Sequence, residues 1–161
     1  MKKKYLQLSM LTILSVFFLG TGLLYRPTVK YPFKCYGFTE YNLMLNNEPV
    51  QLNLSQDIRL FDDKTGEISF SGEAVHANKS MILHRKVKLT DASRLDNDTL
   101  TFTIHRTEKS LLDNTHEDIY NLLMNEYSAS QTSLQIDLDE VDPKLWLISS
   151  PTSFITICHE Y

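Results

Sequence analysis

The sequence has few of the residues from which compact catalytic and nucleotide-binding motifs are built. It contains five glycines, two cysteines and one tryptophan in 161 residues. It has no GxGxxG or Walker loop, and so few glycines leave little material for a backbone that cradles phosphate groups. A GxSxG nucleophile elbow and an HExxH pair are absent as well. These absences predict that the chain is not an enzyme and binds no cofactor.

Metal-binding patterns are also missing. A zinc site needs convergent nitrogen or sulfur ligands, whereas the histidines lie on different predicted elements: His76, His84, His105, His116 and His159. His76 and His84 flank one predicted hairpin, where a facing pair would permit a pH response. The acidic stretch at 137–142 lacks the glycine and the final glutamate of a calcium loop. We therefore expect no metal site, and we interpret this stretch as a solvated acidic turn.

Negative charge is concentrated in the last third of the chain. Residues 107–161 contain ten acidic residues but only two basic ones, Lys109 and Lys144, whereas residues 27–106 are balanced. This excess argues against nucleic-acid binding, which requires neutralised phosphates, and against docking on anionic lipid head groups. We interpret it as a solvated acidic face, and the alternative is a docking surface for a basic partner.

One long uncharged run lies near the N-terminus. Residues 5–25 have no charged side chain, follow the basic residues 2–4 and precede Arg26 and Pro27. Because a membrane-spanning helix needs about 20 mostly apolar residues, the run predicts a transmembrane helix over residues 5–25. The basic stub, residues 1–4, should remain cytoplasmic, which makes residues 26–161 one exported globular domain. The alternative is a cleaved signal peptide, which has a shorter apolar core and a small-x-small cleavage site.

The two cysteines, Cys35 and Cys158, stand near the two ends of this predicted domain. In an oxidising compartment an even pair favours a disulfide. The alternative is a redox-active pair, but such cysteines usually form a Cys-x-x-Cys motif. A structural disulfide would make the first and last elements of the domain neighbours.

Hydrophobic alternation predicts a mainly antiparallel strand meander with one helix, class α+β. The predicted strands cover residues 36–45, 50–61, 67–76, 81–90, 99–107, 134–138, 144–149 and 153–159, with a loop at 91–98. An apparent change of phase near Gln56 predicts a bulge or a bend. Asn114 and Glu117 have capping-box spacing before a short amphipathic helix that ends in a buried Tyr127. Trp146 should be a core anchor. A barrel-like closure of the sheet would remove exposed edges.

Three segments resemble the FidL-like family of enterobacterial inner-membrane proteins. They are the MKKK start with its immediate apolar span, the stretch PTVKYPFKCYGF at 27–38, and the terminal ITICHEY at 155–161. Members of this family are similar in layout to the small accessory proteins of ToxR-type regulators, which have a cytoplasmic winged-helix domain, one membrane span and a periplasmic domain. The resemblance supplies no catalytic residues.

Two functions follow as expectations. The resemblance implies a non-enzymatic accessory protein of the bacterial inner membrane, whose periplasmic domain binds and stabilises or tunes that of a membrane-bound ToxR-type regulator. Strand edges or the acidic last third would provide the contacts. The alternative is a stand-alone periplasmic module, barrel-like in shape, that binds a small apolar ligand in a pocket lined by some of the 17 aromatic residues (eight Phe, eight Tyr and one Trp).

Overall fold

The computed structural model describes residues 29–161, except residues 97 and 131. The strands in this part of the chain are β1 (Phe33–Leu45), β2 (Glu48–Leu60), β3 (Gly66–His76), β4 (Lys79–Arg94), β5 (Thr99–Lys109), β6 (Ser128–Ser130), β7 (Ser133–Asp142), β8 (Leu145–Ser149) and β9 (Phe154–Glu160). The helix α1 (Glu117–Tyr127) lies between β5 and β6.

The predicted cytoplasmic stub, residues 1–4, and the predicted span, residues 5–25, lie outside the described residues. Within the described part of the chain, no helix combines the length and the apolar character that crossing a membrane requires.

The strands form one antiparallel sheet that closes on itself. Their order is β5-β4-β3-β2-β1-β9-β8-β7-β6, and β5 also pairs with β7. In this closing ladder Thr99–Thr103 lie opposite Ser133–Asp137. The predicted α+β meander and its barrel-like closure are both confirmed. Strands that follow one another run in opposite directions, so their connections gather at two ends of the closed sheet.

Side chains of the strands alternate between the inside and the outside of the sheet, most regularly on β2. On β2 the inward residues run from Val50 to Leu60 at every second position, and each is at most 1% exposed. Such alternation is the pattern of a strand with one buried and one solvated face. The bulge predicted at Gln56 is wrong, because β1 and β2 pair without a register shift. Gln56 stays in phase and points inward, where hydrogen bonds replace water.

Helix α1 packs against the inner side of the sheet near β1 and β7. Its apolar face buries Ile119, Leu123 and Tyr127, as an amphipathic helix requires. The Tyr127 ring meets Phe70 of β3 edge-on, with 5.4 Å between ring centres. The helix therefore occupies space that the closed sheet surrounds, and it links strands that are distant in the sheet order.

Several boundaries differ from the sequence prediction. Strand β4 continues to Arg94 through register shifts near Leu89 and Thr90, so the predicted loop at 91–98 is shorter than expected. Bulges of this kind let polar residues stay in a strand while the chain bends. The short strand β6 was not predicted. Trp146 is 4% exposed and its ring lies 5.1 Å from that of Phe33, which confirms its place in the core.

Candidate functional site

The outer surface of β8, β9 and β1 carries large apolar side chains that face solvent. Tyr36, Phe38, Phe154 and Ile157 are 52%, 65%, 51% and 50% exposed, respectively. We call this surface the apolar wall; it comprises these four residues with the half-buried Leu145 and Leu147. Isolated exposed apolar residues are ordinary, whereas a contiguous patch marks an interaction surface.

The strand register brings the residues of the apolar wall together. Gly37 lies opposite Cys158, so Phe38 on β1 and Ile157 on β9 are adjacent along the seam. Leu147 of β8 in turn lies opposite Ile157. A Cβ on Gly37 would lie 2.5 Å from Thr156 Oγ1, so only glycine allows this close approach of β1 to β9. Phe38, Ile157 and Leu147 consequently form an apolar row across three strands, and in the next row Tyr36 and Leu145 lie on either side of His159.

The outer surface of β2, β3 and β4 has the opposite character. We call it the polar wall and define it by Asp57, Arg59, Glu67, Lys86 and Lys88. Arg59 Nη2 lies 2.6 Å from Asp57 Oδ2. Glu67, only 4% exposed, receives Lys88 Nζ in a hydrogen bond and has Lys86 Nζ at 3.5 Å. Burial acts to raise the pKa of Glu67, but the two lysines outweigh it and lower that pKa. Charges on this wall thus satisfy one another.

Strand β1 has an open edge next to the apolar wall. It pairs with β2 along its full length but with β9 only from Cys35 to Gly37. No strand among the described residues pairs with residues 38–45 on the side away from β2. We call residues 38–45 the open edge. An unpaired strand edge can accept another extended chain.

A disulfide fastens the seam between β1 and β9. Cys35 and Cys158 are bonded, with 5.5 Å between their Cα atoms, and both are almost fully buried. This confirms the predicted pair and the predicted proximity of the first and last elements. The β1–β9 ladder contains only three residue pairs. The disulfide therefore helps to hold together the two strands that carry much of the apolar wall.

Arg85 is a charged residue on the inner face of β4 and is 3% exposed. Its Nε donates to Asp113 Oδ2 at 2.9 Å, and its Nη1 donates to Glu117 Oε2 at 2.7 Å. The guanidinium carbon lies 4.1 Å from the centre of the Tyr120 ring, in a cation–π arrangement. These contacts join the start of the helix to the sheet, which is a structural role for the buried charge.

The segment before the helix is held by the edge of β4. Asp113 also accepts hydrogen bonds from the backbone N–H groups of His84 and Thr115. Burial acts to raise the pKa of Asp113, but these donors and Arg85 outweigh it and lower that pKa. Asn114 accepts from the Ile82 N–H at 2.6 Å and does not cap the helix. The predicted capping box is therefore wrong, because its side chains are engaged by β4.

A second polar cluster lies in the core near the end of the helix. The Tyr127 hydroxyl donates to Gln56 Oε1, and Gln56 Nε2 donates to the Tyr41 hydroxyl at 2.9 Å. Tyr41 donates in turn to the Ile155 carbonyl at 3.1 Å. Burial raises the pKa of Tyr127 well above its usual value, so the hydroxyl stays neutral. The chain of donors fixes the helix against β2, β1 and β9.

The two histidines of the β3–β4 hairpin do not face each other, so the alternative of a pH-responsive pair is excluded. In the β3–β4 register His76 lies opposite Lys79, and His84 lies opposite Ser71. His76 Nε2 lies 3.5 Å from Glu48 Oε2, beside an open groove of about 550 Å³ between the β1–β2 and β3–β4 hairpins. Among the described residues no three His, Cys, Asp or Glu side chains are grouped so that they could hold a metal ion. The expectation that the chain has no metal, no cofactor and no enzymatic activity remains a prediction.

One comparison with known proteins identifies the family. The model of the family described as "FidL-like putative membrane protein" matches residues 72–158, which is more than half of the chain. The chain therefore belongs to this family, as the resemblance implied, although the match does not include the N-terminal segments at 1–38. No curated protein matches the chain. Membership supports an association with a membrane.

Proposed function

We propose that the chain is a non-enzymatic, membrane-anchored accessory protein whose periplasmic domain binds that of a membrane-bound ToxR-type transcription regulator. In this proposal residues 5–25 anchor the protein in the bacterial inner membrane, with residues 1–4 in the cytoplasm. The folded domain stabilises or tunes its partner by binding, and it performs no chemistry of its own.

The observation that carries the proposal is the apolar wall with the open edge beside it. The four most exposed side chains of the wall are large and apolar, and residues such as Phe and Tyr provide much of the binding energy in protein interfaces. The adjoining backbone of β1 offers unpaired hydrogen-bonding groups. Together they suit a partner that contributes both an apolar surface and an extended segment.

The same wall explains how binding can stabilise a partner. A ligand that binds only the folded state raises the stability of that state by mass action, and the effect is reciprocal between two protein domains. The fixed position of Phe38 and Ile157 on a closed, disulfide-bonded sheet provides a preorganised surface. A regulator domain with a less complete core would gain stability from contact with it.

The alternative function, a module that binds a small apolar ligand, has weaker support. The side chains of Ile119, Leu123 and Tyr127 lie inside the closed sheet, where such a ligand would be held. The groove between the hairpins is open and has polar side chains such as Gln51 and His76 in its lining. A binding site for an apolar molecule is usually concave and largely apolar.

Gentle co-purification of the tagged full-length chain from its native inner membrane tests the proposal. Mass spectrometry identifies the proteins that are recovered, and the Phe38→Ser variant serves as the matched control. We expect a ToxR-type regulator in an amount comparable to the wild-type chain and a clear loss of it with the variant. Recovery of the wild-type chain alone, folded and disulfide-bonded, would refute the accessory function.

A further inference from the structure

We infer that the end of the domain nearest the predicted anchor rests in the head-group region of the bilayer and inserts the side chains of Phe61, Leu95 and Val141. This inference rests on the membrane anchor of the proposed function. It adds a second interaction surface, whose partner is the lipid of the anchoring membrane.

The length of chain between the predicted span and the folded core is very short. The span ends at residue 25, and Val29 is already buried, at 7% exposure, in the hydrophobic core. The four Cα–Cα steps from residue 25 to Val29 extend over about 14 Å at most. The head-group region on each side of the hydrocarbon core is roughly 5–8 Å thick. The folded core at Val29 therefore lies close to the membrane surface, and β1 begins four residues later at Phe33.

Other connections lie at the same end of the closed sheet as the start of β1. Strand direction alternates from β1 to β5, which places the β2–β3 and β4–β5 connections there. The β7–β8 turn also belongs to this end, because β9, β8 and β7 are antiparallel in turn. We call it the anchor end.

Each of these three connections exposes one large apolar side chain. Phe61 follows β2 and is 45% exposed, Leu95 follows β4 and is 63% exposed, and Val141 near the end of β7 is 55% exposed. Backbone hydrogen bonds fix two of them: Phe61 N–H donates to Thr65 O, and Leu95 N–H donates to Thr99 O, both at 3.0 Å. The backbone at Phe61 and Leu95 is thus held in place.

Charge does not provide the attraction at the anchor end. Its three connections, counted with Asp142 at the end of β7, carry five acidic residues and only two basic ones, Lys64 and Lys144. An electrostatic attachment to anionic lipid is consequently not expected. Burial of apolar side chains at the boundary of head groups and acyl chains remains as the driving force, as it is for interfacial helices.

Exposed apolar residues at the opposite end cannot reach the same membrane. Met44 and Leu112 are 60% and 72% exposed, but β1 alone has 13 residues, or about 40 Å of strand. Even with the tilt of about 40° usual in closed sheets, roughly 30 Å separates them from the anchor end. They therefore provide matched controls of similar exposure.

The test uses the full-length chain in nanodiscs of phosphatidylethanolamine and phosphatidylglycerol, with or without bromine on the acyl chains just below the head groups. Bromine quenches tryptophan fluorescence only at contact distance. Four variants each add one tryptophan to the constant background of Trp146: Phe61→Trp, Leu95→Trp, Met44→Trp and Leu112→Trp. Thermal unfolding of every variant is measured first, so that only folded proteins are compared.

We expect brominated lipid to quench the added tryptophan at positions 61 and 95, and to leave that at positions 44 and 112 unchanged. Absence of quenching at 61 and 95, or equal quenching at all four positions, would overturn the inference. A chain that fails to incorporate into nanodiscs would instead refute the anchor of the proposed function. Incorporation without quenching would refute only the inferred insertion of the anchor end into the head-group region.

Discussion

The two outer walls of the same sheet solve different problems. On the polar wall, Arg59, Glu67 and Lys88 lie opposite one another across three strands, and their charges are satisfied within the chain. On the apolar wall, the apolar side chains of Phe38 and Ile157 face solvent. Both walls belong to one closed sheet, so folding does not account for the difference. The charges of the polar wall are thus satisfied by the chain itself, whereas under the proposed function a partner covers the apolar wall.

A general lesson concerns where stability and binding are located. The inner face of the sheet holds the ion pairs of Arg85 and the hydrogen bonds from Tyr127 through Gln56 to Tyr41. These interactions fix the helix and lie on the side of the sheet away from the two outer walls. Substitutions there should weaken the fold. Substitutions on the apolar wall should weaken binding without weakening the fold. The predictions below test this separation, in order of decreasing expected effect.

Asp113→Ala should cause the largest loss of stability. It leaves the guanidinium of Arg85 buried without its buried counter-charge, which typically costs about 3–5 kcal/mol. Denaturant unfolding of the oxidised protein measures the free energy of unfolding. Glu117→Gln is the control and should cost much less, because the Glu117 side chain is 61% exposed and exposed pairs contribute about 0–1 kcal/mol. Equal losses for the two variants would contradict the structural role of the buried pair.

Replacement of both Cys35 and Cys158 by serine should cost roughly 2–5 kcal/mol, as is typical for a native disulfide. The reason is the short ladder between β1 and β9, which has three residue pairs. Thermal unfolding under oxidising conditions measures the effect. An unchanged midpoint would show that the seam is held without the disulfide. Because the apolar wall crosses this seam, co-purification with the variant should also recover less of the partner protein.

Acidification should destabilise the fold through Asp113 and Glu67. Both carboxyls have a folded-state pKa below their usual value, so their contribution is fully present above the unfolded-state pKa of about 4 and is lost as pH falls through the folded-state pKa. Thermal midpoints measured from neutral pH to about pH 2 should fall mostly below pH 4. In Asp113→Asn the acid-dependent part of the fall should be smaller, and an identical pH profile would contradict this origin.

Phe38→Ser and Ile157→Ser should leave stability nearly unchanged. Substitutions of exposed side chains usually alter the free energy of unfolding by no more than about 0.5 kcal/mol. Both should nevertheless reduce recovery of the partner, whereas Lys86→Ser on the polar wall should not. Unfolding curves and co-purification of the same three variants separate the two effects. A loss of stability greater than that of Asp113→Ala would show that Phe38 stabilises the fold of the chain itself.

Much of the fold could be predicted from the alternation of the sequence. The main strands and helix α1 follow from the period of the hydrophobic residues. The proximity of Cys35 to Cys158 follows from the presence of an even pair of cysteines. Two polar residues within inward runs, Gln56 and Arg85, were the harder cases. Arg85 is in phase with Leu83 and Val87, so its inward direction was readable. Its partners, Asp113 and Glu117, could not be predicted from the sequence, because they reach β4 from a segment 28 or more residues away.

The candidate site could be predicted only in part. Tyr36 and Phe38 stand at outward positions of β1, but the position of Phe38 beside Ile157 depends on the β1–β9 register, which no local pattern encodes. The open edge depends on the same register, because β9 ends its pairing at Gly37. Tertiary pairing decides which strand remains unpaired, so a sequence reading could name strand edges as a binding mode without locating one.

Site-specific photo-crosslinking in the native inner membrane tests the central claim most directly. A benzophenone amino acid replaces Phe38 on the apolar wall in one full-length variant and Ser71 on the outer face of β3 in another, and mass spectrometry identifies the captured protein. We predict that position 38 captures the extracytoplasmic domain of a membrane-bound regulator and that position 71 captures little. Equal capture at both positions, or none at position 38 in a folded and disulfide-bonded chain, would contradict the account.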